Sequence, residues 1–341
     1  MAKSKILQLK GGKSASRLTV KRWQASLANI IKKVKTGNQE ILVETEIREN
    51  KMETENRENL AEKRERDALL RDLAERYETK DFINGDPSWF MHQVSGTLNQ
   101  EITAFIAQAL SFGSRKQFLK KLHDIMRFSD GNPLHWVVEG QYTQNIPDAE
   151  GSYYRMITNQ QMLAFLNALR PLYQNEKGLR QLFSQNSNLH SPNFCADEAS
   201  SPIARASEQN NYPFSILHSP FSASAALASI TDYFARNGST GVIPKNTQSS
   251  CKRLCMFLRW MVRIGSPVDI GLWSDIIDRR TLIMPLDTHV VQEARRLGII
   301  DIKTPSMAAA LKLTEKMSEI FPDDPLKGDF ALFGVGVDTE N

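Results

Sequence analysis

The chain has 341 residues, 41% of them hydrophobic and 24% charged, with 43 Lys or Arg against 39 Asp or Glu for a formal charge of +4. That composition fits a soluble globular protein with enough chain for a sizeable core. Mean hydropathy is −0.39, and no apolar run reaches the roughly 18 residues of a membrane-spanning helix, so no membrane partner is expected. The start, "MAKSKILQLKGGKSASRLTV", lacks the apolar core of a secretory signal. A cytoplasmic protein is expected, although the same lack of acids resembles an organellar transit peptide. The three cysteines, Cys195, Cys251 and Cys255, form no disulfide framework and suit a reducing compartment. Cys251 and Cys255 lie one helical turn apart and read as buried thiols. The six histidines form no H-E-x-x-H or Cys/His array, so neither a metal nor any other cofactor is expected.

Residues 1–36 carry ten Lys or Arg and no acid. A flexible basic arm of this kind suits a polyanion, either nucleic acid or an anionic membrane surface, and equally describes a solvated tail. Residues 37–58 are mixed in charge and linker-like, so 1–58 reads as arm and linker. "NLAEKRERDALLRDLAERY" then spaces Leu60, Leu69, Leu70, Leu73 and Ala74 as an amphipathic helix. The chain breaks at "NGDPSW". "NQEITAFIAQALSFG" follows as a buried helix, with Ile102, Phe105, Ile106, Ala109 and Leu110 on one stripe and Gly113 at its end. Further helices are predicted near 115–128, 159–173 and 176–184, and no segment alternates as strands do. Residues 59–184 thus form an N-terminal helical lobe.

Residues 185–222, rich in Ser, Asn and Pro, read as a polar loop or insertion. Helices resume at 222–238, 249–264, 287–297, 305–319 and 325–336, making residues 223–341 a C-terminal helical lobe. The expected fold is all-α and two-lobed.

The helix "SSCKRLCMFLRWMVR" is the most informative. At 100° per residue Leu254, Phe257, Leu258, Met261, Val262 and both cysteines share one arc, the buried face. Lys252, Arg259 and Arg263 run along its flank at i, i+7 and i+11, with Arg253 and Trp260 beyond. Ser249 or Thr247 is placed to cap the start, which puts Lys252 in the first turn, where the helix dipole repels a cation. A desolvated amine there can act as a nucleophile. The spacing alone also describes a solvated basic face. In "IMPLDTHV", residues 283–290, Asp287 follows an apolar, proline-stiffened run and opens a helix. Capping alone accounts for that residue type.

Taken together, the lysine at a helix start and "PLDTHV" resemble the helix-hairpin-helix DNA glycosylase superfamily, whose bifunctional members carry a lysine after a glycine-rich hairpin and an aspartate in a "VDTHV"-like segment. Two features depart from that pattern: the hairpin is replaced by "VIPKNTQSSCK", and the Lys-to-Asp interval is 35 residues. The longer interval is closer to the archaeal 8-oxoguanine glycosylase branch. A broader resemblance, from about residue 80 to 337, is to an uncharacterised bacterial family defined as a domain of unknown function. It is carried by "DPSWF", "EITAFIAQALSFGSRKQ", "SSCKRLCMFLRWMVR", "VDIGLW", "PLDTHV" and "DDPLKGDFALFGVG".

The glycosylase resemblance implies a nucleic-acid partner, duplex DNA, and a glycosylase with lyase chemistry acting on a damaged base. Lys252 would be the Schiff-base nucleophile and Asp287 the catalytic carboxylate. Arg253, Arg259 and Arg263 would hold phosphates, and Trp260 or Trp273 would stack on a base. Two other readings stay open: a nucleic-acid-binding protein that keeps the scaffold without the chemistry, and an interaction module in which Lys252 and Asp287 merely pair or cap.

Overall fold

A buried helix, α2 (Thr97–Leu110), is the element on which the others stack. In the computed structural model, which describes Arg22 and residues 37–184 and 221–340, every residue of α2 from Glu101 to Leu110 is buried. Its Ala, Leu, Ile and Gln content favours helix, and its apolar residues are not confined to one face, as expected of a helix covered all round. Gly96 precedes it at φ 88°, a conformation that glycine adopts without strain. Before it comes a 3₁₀ turn, Pro87–His92. Asp86 Oδ1 caps this turn, accepting from the Ser88 N–H at 2.9 Å and the Ser88 hydroxyl at 2.6 Å.

The chain order is α1 (Gly37–Tyr77), α2, α3 (Arg115–Phe128), α4 (Pro133–Val138), α5 (Tyr142–Asn145), β1 (Ser152–Tyr154), β2 (Ile157–Thr158), α6 (Asn159–Gln174), α7 (Gln181–Ser184), α8 (Ala223–Arg236), α9 (Lys252–Val262), α10 (Thr288–Arg296), α11 (Met307–Ile320) and α12 (Lys327–Glu340). Helix thus dominates and the fold is all-α, with one short antiparallel hairpin, β1–β2, among the described residues. Two strands of three and two residues are too short to show a period-2 pattern, which is why none was legible.

Aromatic side chains mark where the helices meet. Phe105 of α2 lies 5.9 Å from Phe165 of α6, 5.3 Å from Phe234 of α8 and 5.0 Å from Phe257 of α9, and Phe257 in turn meets Trp273 edge-on at 5.2 Å. The segments expected to form two lobes, 59–184 and 223–341, therefore share one core.

Two expected boundaries change. Residues 37–58 are helix, continuous with α1, and not linker. Past Gly37 the segment has no Gly or Pro, and Lys51–Glu55 (3.8 Å) and Glu53–Arg57 (2.5 Å) pair at i, i+4. Contacts divide the chain at Arg66/Asp67 into units of residues 1–66 and 67–341. The basic arm (Arg22 apart), the polar loop over 185–220 and Cys195 fall outside the described residues.

Glu101 ties α2 to its surroundings. One carboxylate oxygen accepts from the Leu179 N–H at 2.7 Å and the Tyr173 hydroxyl at 2.8 Å, and the other from Trp273 Nε1 at 2.8 Å. Burial pushes this carboxyl up, against the pull of its three donors. Glu101→Ala would leave those donors unmet at ~1–3 kcal/mol each. Urea denaturation should therefore show Glu101→Ala losing at least about 3 kcal/mol, and Glu101→Gln, which keeps one acceptor oxygen, losing less.

Candidate active site

Helix α9 begins at Lys252, directly after Cys251, which adopts φ 46° and ψ 32° and gives the helix no side-chain cap. The expected caps, Ser249 and Thr247, do not cap it. The Ser249 hydroxyl is instead turned toward Cys251, 3.4 Å from its N–H and 3.5 Å from its Sγ. Lys252 thus occupies the first helical position with its side chain half-exposed.

Asp287 is set by the run before it. Leu282, Ile283, Met284 and Leu286 are all buried, and the Met284 N–H donates to Thr314 Oγ1 at 2.9 Å, which anchors the extended chain on α11. Asp287 then caps α10. Its Oδ1 accepts from the Val290 N–H at 2.9 Å, while its Oδ2 accepts from Lys252 Nζ at 2.5 Å. One oxygen caps and the other pairs, so the two roles coexist in one carboxylate. The side chains are 40% and 31% exposed, Lys252 and Asp287 respectively. Burial works to raise the Asp287 carboxyl, but the Lys252 ammonium, the Val290 N–H and His289 together hold it below the ordinary carboxylate range.

A second carboxylate lies near this pair. Asp329, in the first turn of α12, pairs with Arg259 Nη1 and senses both Lys252 and Asp287 electrostatically. Burial pushes its carboxyl up, Arg259 and Lys252 pull it down, and the net direction is upward. Two carboxylates around one lysine are thus held on opposite sides of their usual value.

Three of the expected nucleic-acid contacts are interior. Arg259 and Arg263 are 3% and 1% exposed. Arg259 also pairs with Asp269 at 3.2 Å. Arg263 meets Asp324 through Nε (2.9 and 3.0 Å) and Nη2 (2.8 Å), Asp269 at 2.5 Å and Glu78 at 2.7 Å. Guanidiniums so buried and ion-paired do not lie on a surface where a phosphate could meet them. The flank read as exposed is covered because every residue from Leu254 to Val262 except Met256 is buried. Trp260 is fully buried, with Nε1 unpartnered in the core, and not on a surface where a base could stack. Arg253 reaches the Ala109 and Val242 carbonyls and lies over the Phe112 ring at 4.9 Å. Cys251 and Cys255 are buried as expected. An open cavity of about 320 Å³, lined by Val262, Ile264 and residues 274–279, adjoins the opposite end of α9 and includes neither Lys252 nor Asp287. Among the described residues no helix is long and apolar enough to cross a membrane, and no three His, Cys, Asp or Glu are grouped to hold a metal ion.

Residues 86–338 match the family model described as "Protein of unknown function (DUF2400)". The chain is a member of the DUF2400 family. No curated protein and no solved structure matches it. The DUF2400 span takes in Lys252, Asp287, Asp329 and both buried arginines, and leaves out Glu78. Sequence reasoning missed Asp269, Asp324 and Asp329, although "DDPLKGDF" carried a signal. Asp324 and Asp329 sit there among the buried Pro325, Leu326 and Phe330, so both need cations, and the row Lys252, Arg259 and Arg263 was the available set.

Removing one member of this buried cluster strands charge. Arg263→Ala should cost about 3–5 kcal/mol in chemical denaturation. Asp287→Asn keeps the cap and loses the ion pair, so its deficit against the native chain should be about 1 kcal/mol or less at neutral pH. A carboxylate held below its unfolded value contributes stability above that value and loses it as pH falls. The deficit should therefore begin to shrink as pH falls through roughly 4 and vanish only below the depressed folded-state value, which denaturation at several pH values would measure.

Proposed function

We propose that this DUF2400 protein is a DNA-repair-type glycosylase with lyase activity, acting on a damaged base through Lys252 and Asp287. The observation that carries the reading is the 2.5 Å contact of Lys252 Nζ with Asp287 Oδ2, half-exposed and formed between two helix starts. The resemblance of "PLDTHV" to the helix-hairpin-helix glycosylases supports it.

The chemistry needs a free amine and an ionised carboxylate beside it, and the low-lying Asp287 carboxyl is ionised at neutral pH. With the target nucleotide out of the stack, Asp287 takes a proton from the Lys252 ammonium and the amine attacks C1′. The bond from C1′ to the base breaks, and the base leaves with the electron pair and takes up a proton. Opening of the sugar gives an iminium between Lys252 Nζ and C1′. Loss of a C2′ proton then expels the 3′ phosphate. Asp287 also stabilises the positive charge that develops on the sugar.

A second reading, nucleic-acid binding on the same scaffold without catalysis, is favoured by "VIPKNTQSSCK". Its serines stand where the superfamily's hairpin has glycines.

Borohydride trapping separates the two. Incubated with duplexes carrying an abasic site, 8-oxoguanine or uracil, the native protein should form a covalent complex with at least one. Lys252→Gln should form none, and Asp287→Asn should form it at least ~100-fold more slowly. An adduct that persists in Lys252→Gln overturns the assignment. Salt-sensitive binding without any adduct in the native protein moves the reading to the binding protein.

A further inference from the structure

With Arg259 and Arg263 buried, the cations that meet phosphates must lie elsewhere, and α3 is strongly basic. Between Arg115 and Phe128 it carries five Lys or Arg and one acid, Asp124, a local excess equal to the formal charge of the whole chain. Phe118, Leu122 and Ile125 face the core, while Lys116, Lys120, His123 and Arg127 follow one another at i, i+4, i+7 and i+11 on the exposed face. That row spans about 16 Å at 1.5 Å per residue.

Arg127 is partly neutralised by Asp124 at 3.1 Å, and His123 packs against the Trp89 and Phe90 rings. Lys116 and Lys120 have no ion-pair partner among the described residues. Arg155 joins them at the start of the helix. It is exposed, sits at φ 51° in the β1–β2 turn where glycine or asparagine is the usual occupant, and lies over Gly113, where a Cβ would meet its Nη1 at 2.6 Å.

A run of contacts ties this surface to the residue next to Lys252. Arg253, the neighbour of Lys252, stacks on Phe112 at 4.9 Å. Phe112 meets Tyr154 edge-on at 4.9 Å and accepts the Tyr154 hydroxyl at its carbonyl. Gly113, Ser114 and α3 follow directly in the chain.

We propose that Arg155, Lys116 and Lys120 form the surface that grips the phosphate backbone of duplex DNA and delivers it to the Lys252–Asp287 site. The choice of DNA rests on the reading under Proposed function. A lipid surface is disfavoured because the apolar face of α3 is buried in the core and cannot insert into a bilayer.

The test is the salt dependence of duplex binding by the full chain, compared with Lys116→Gln/Lys120→Gln/Arg155→Asn. Asparagine tolerates the turn conformation, and circular dichroism checks the fold. Each lost phosphate contact removes about 0.9 from the slope of log Kobs against log salt, so the triple variant should be shallower by about 2–3. Lys116→Gln/Lys120→Gln, which leaves the turn untouched, should be shallower by about 1–2. Lys303→Gln/Lys312→Gln/Lys316→Gln removes three charges from elsewhere and should keep the native slope.

A triple variant with the native slope overturns the surface and leaves the Lys252 chemistry standing. A slope change without a borohydride adduct in the native chain supports the surface and removes the chemistry. Native protein that binds no duplex at low salt overturns both. Anionic vesicles or RNA whose binding depends on these residues, while duplex DNA does not, overturn the choice of partner.

Discussion

Two guanidinium groups lie in the interior of residues 67–341, and four carboxylates from separate stretches of chain converge on them. Each charge taken from water costs several kcal/mol, recovered only when its partners arrive in good geometry. Arg259 stands on α9 and Arg263 four residues later, at its C-cap. They require Glu78 from beyond α1, Asp269 from the segment after α9, Asp324 from the turn before α12, and Asp329 from α12 itself. A shift of any one of these segments leaves a charge buried without its counterion. The network therefore fixes the rotation and axial position of α9, and with them the place of Lys252 at its first turn.

The other sides of α9 are apolar. Phe257 joins the aromatic cluster of Phe105, Phe165 and Phe234, and Trp273 bridges from that cluster to Glu101. A helix held by ions on one side and rings on another has little freedom to roll. The candidate site needs that rigidity, since one oxygen of Asp287 is committed to capping α10 and only the other is left for Lys252.

Much of the helical order was legible because Ser, Gly and Pro punctuate the apolar periodicities. Seven helices, α2, α3, α6 and α8 to α11, fall within about three residues of their expected limits at either end. The pairing of Lys252 with Asp287, 35 residues apart, could be anticipated from the resemblance but not from periodicity. What failed was the assumption that charge means surface. Arg259 and Arg263 sit on the flank of an amphipathic pattern, yet of their counterions only Asp269 is near in sequence, and Asp324, Asp329 and Glu78 come from 61, 70 and 185 residues away, beyond the reach of any local window. Trp260 was misplaced for the same reason, because burial on all sides leaves no helical face to read. The fusion of the two expected lobes was hidden too, since it depends on which aromatic rings meet.

The basic face of α3 gives the chain's formal charge of +4 a different meaning. Ten of the cations belong to residues 1–36 and five to α3. The rest of the chain holds ten more acids than bases. The modest total is thus the remainder of a large separation of sign along the sequence. On the nucleic-acid reading proposed above, a polyanion approaching residues 67–341 at low ionic strength would be attracted by α3 and repelled by the rest of that unit, and so turned before it touches. Orientation on arrival is then set by where the charges lie along the sequence, ahead of any contact between surfaces.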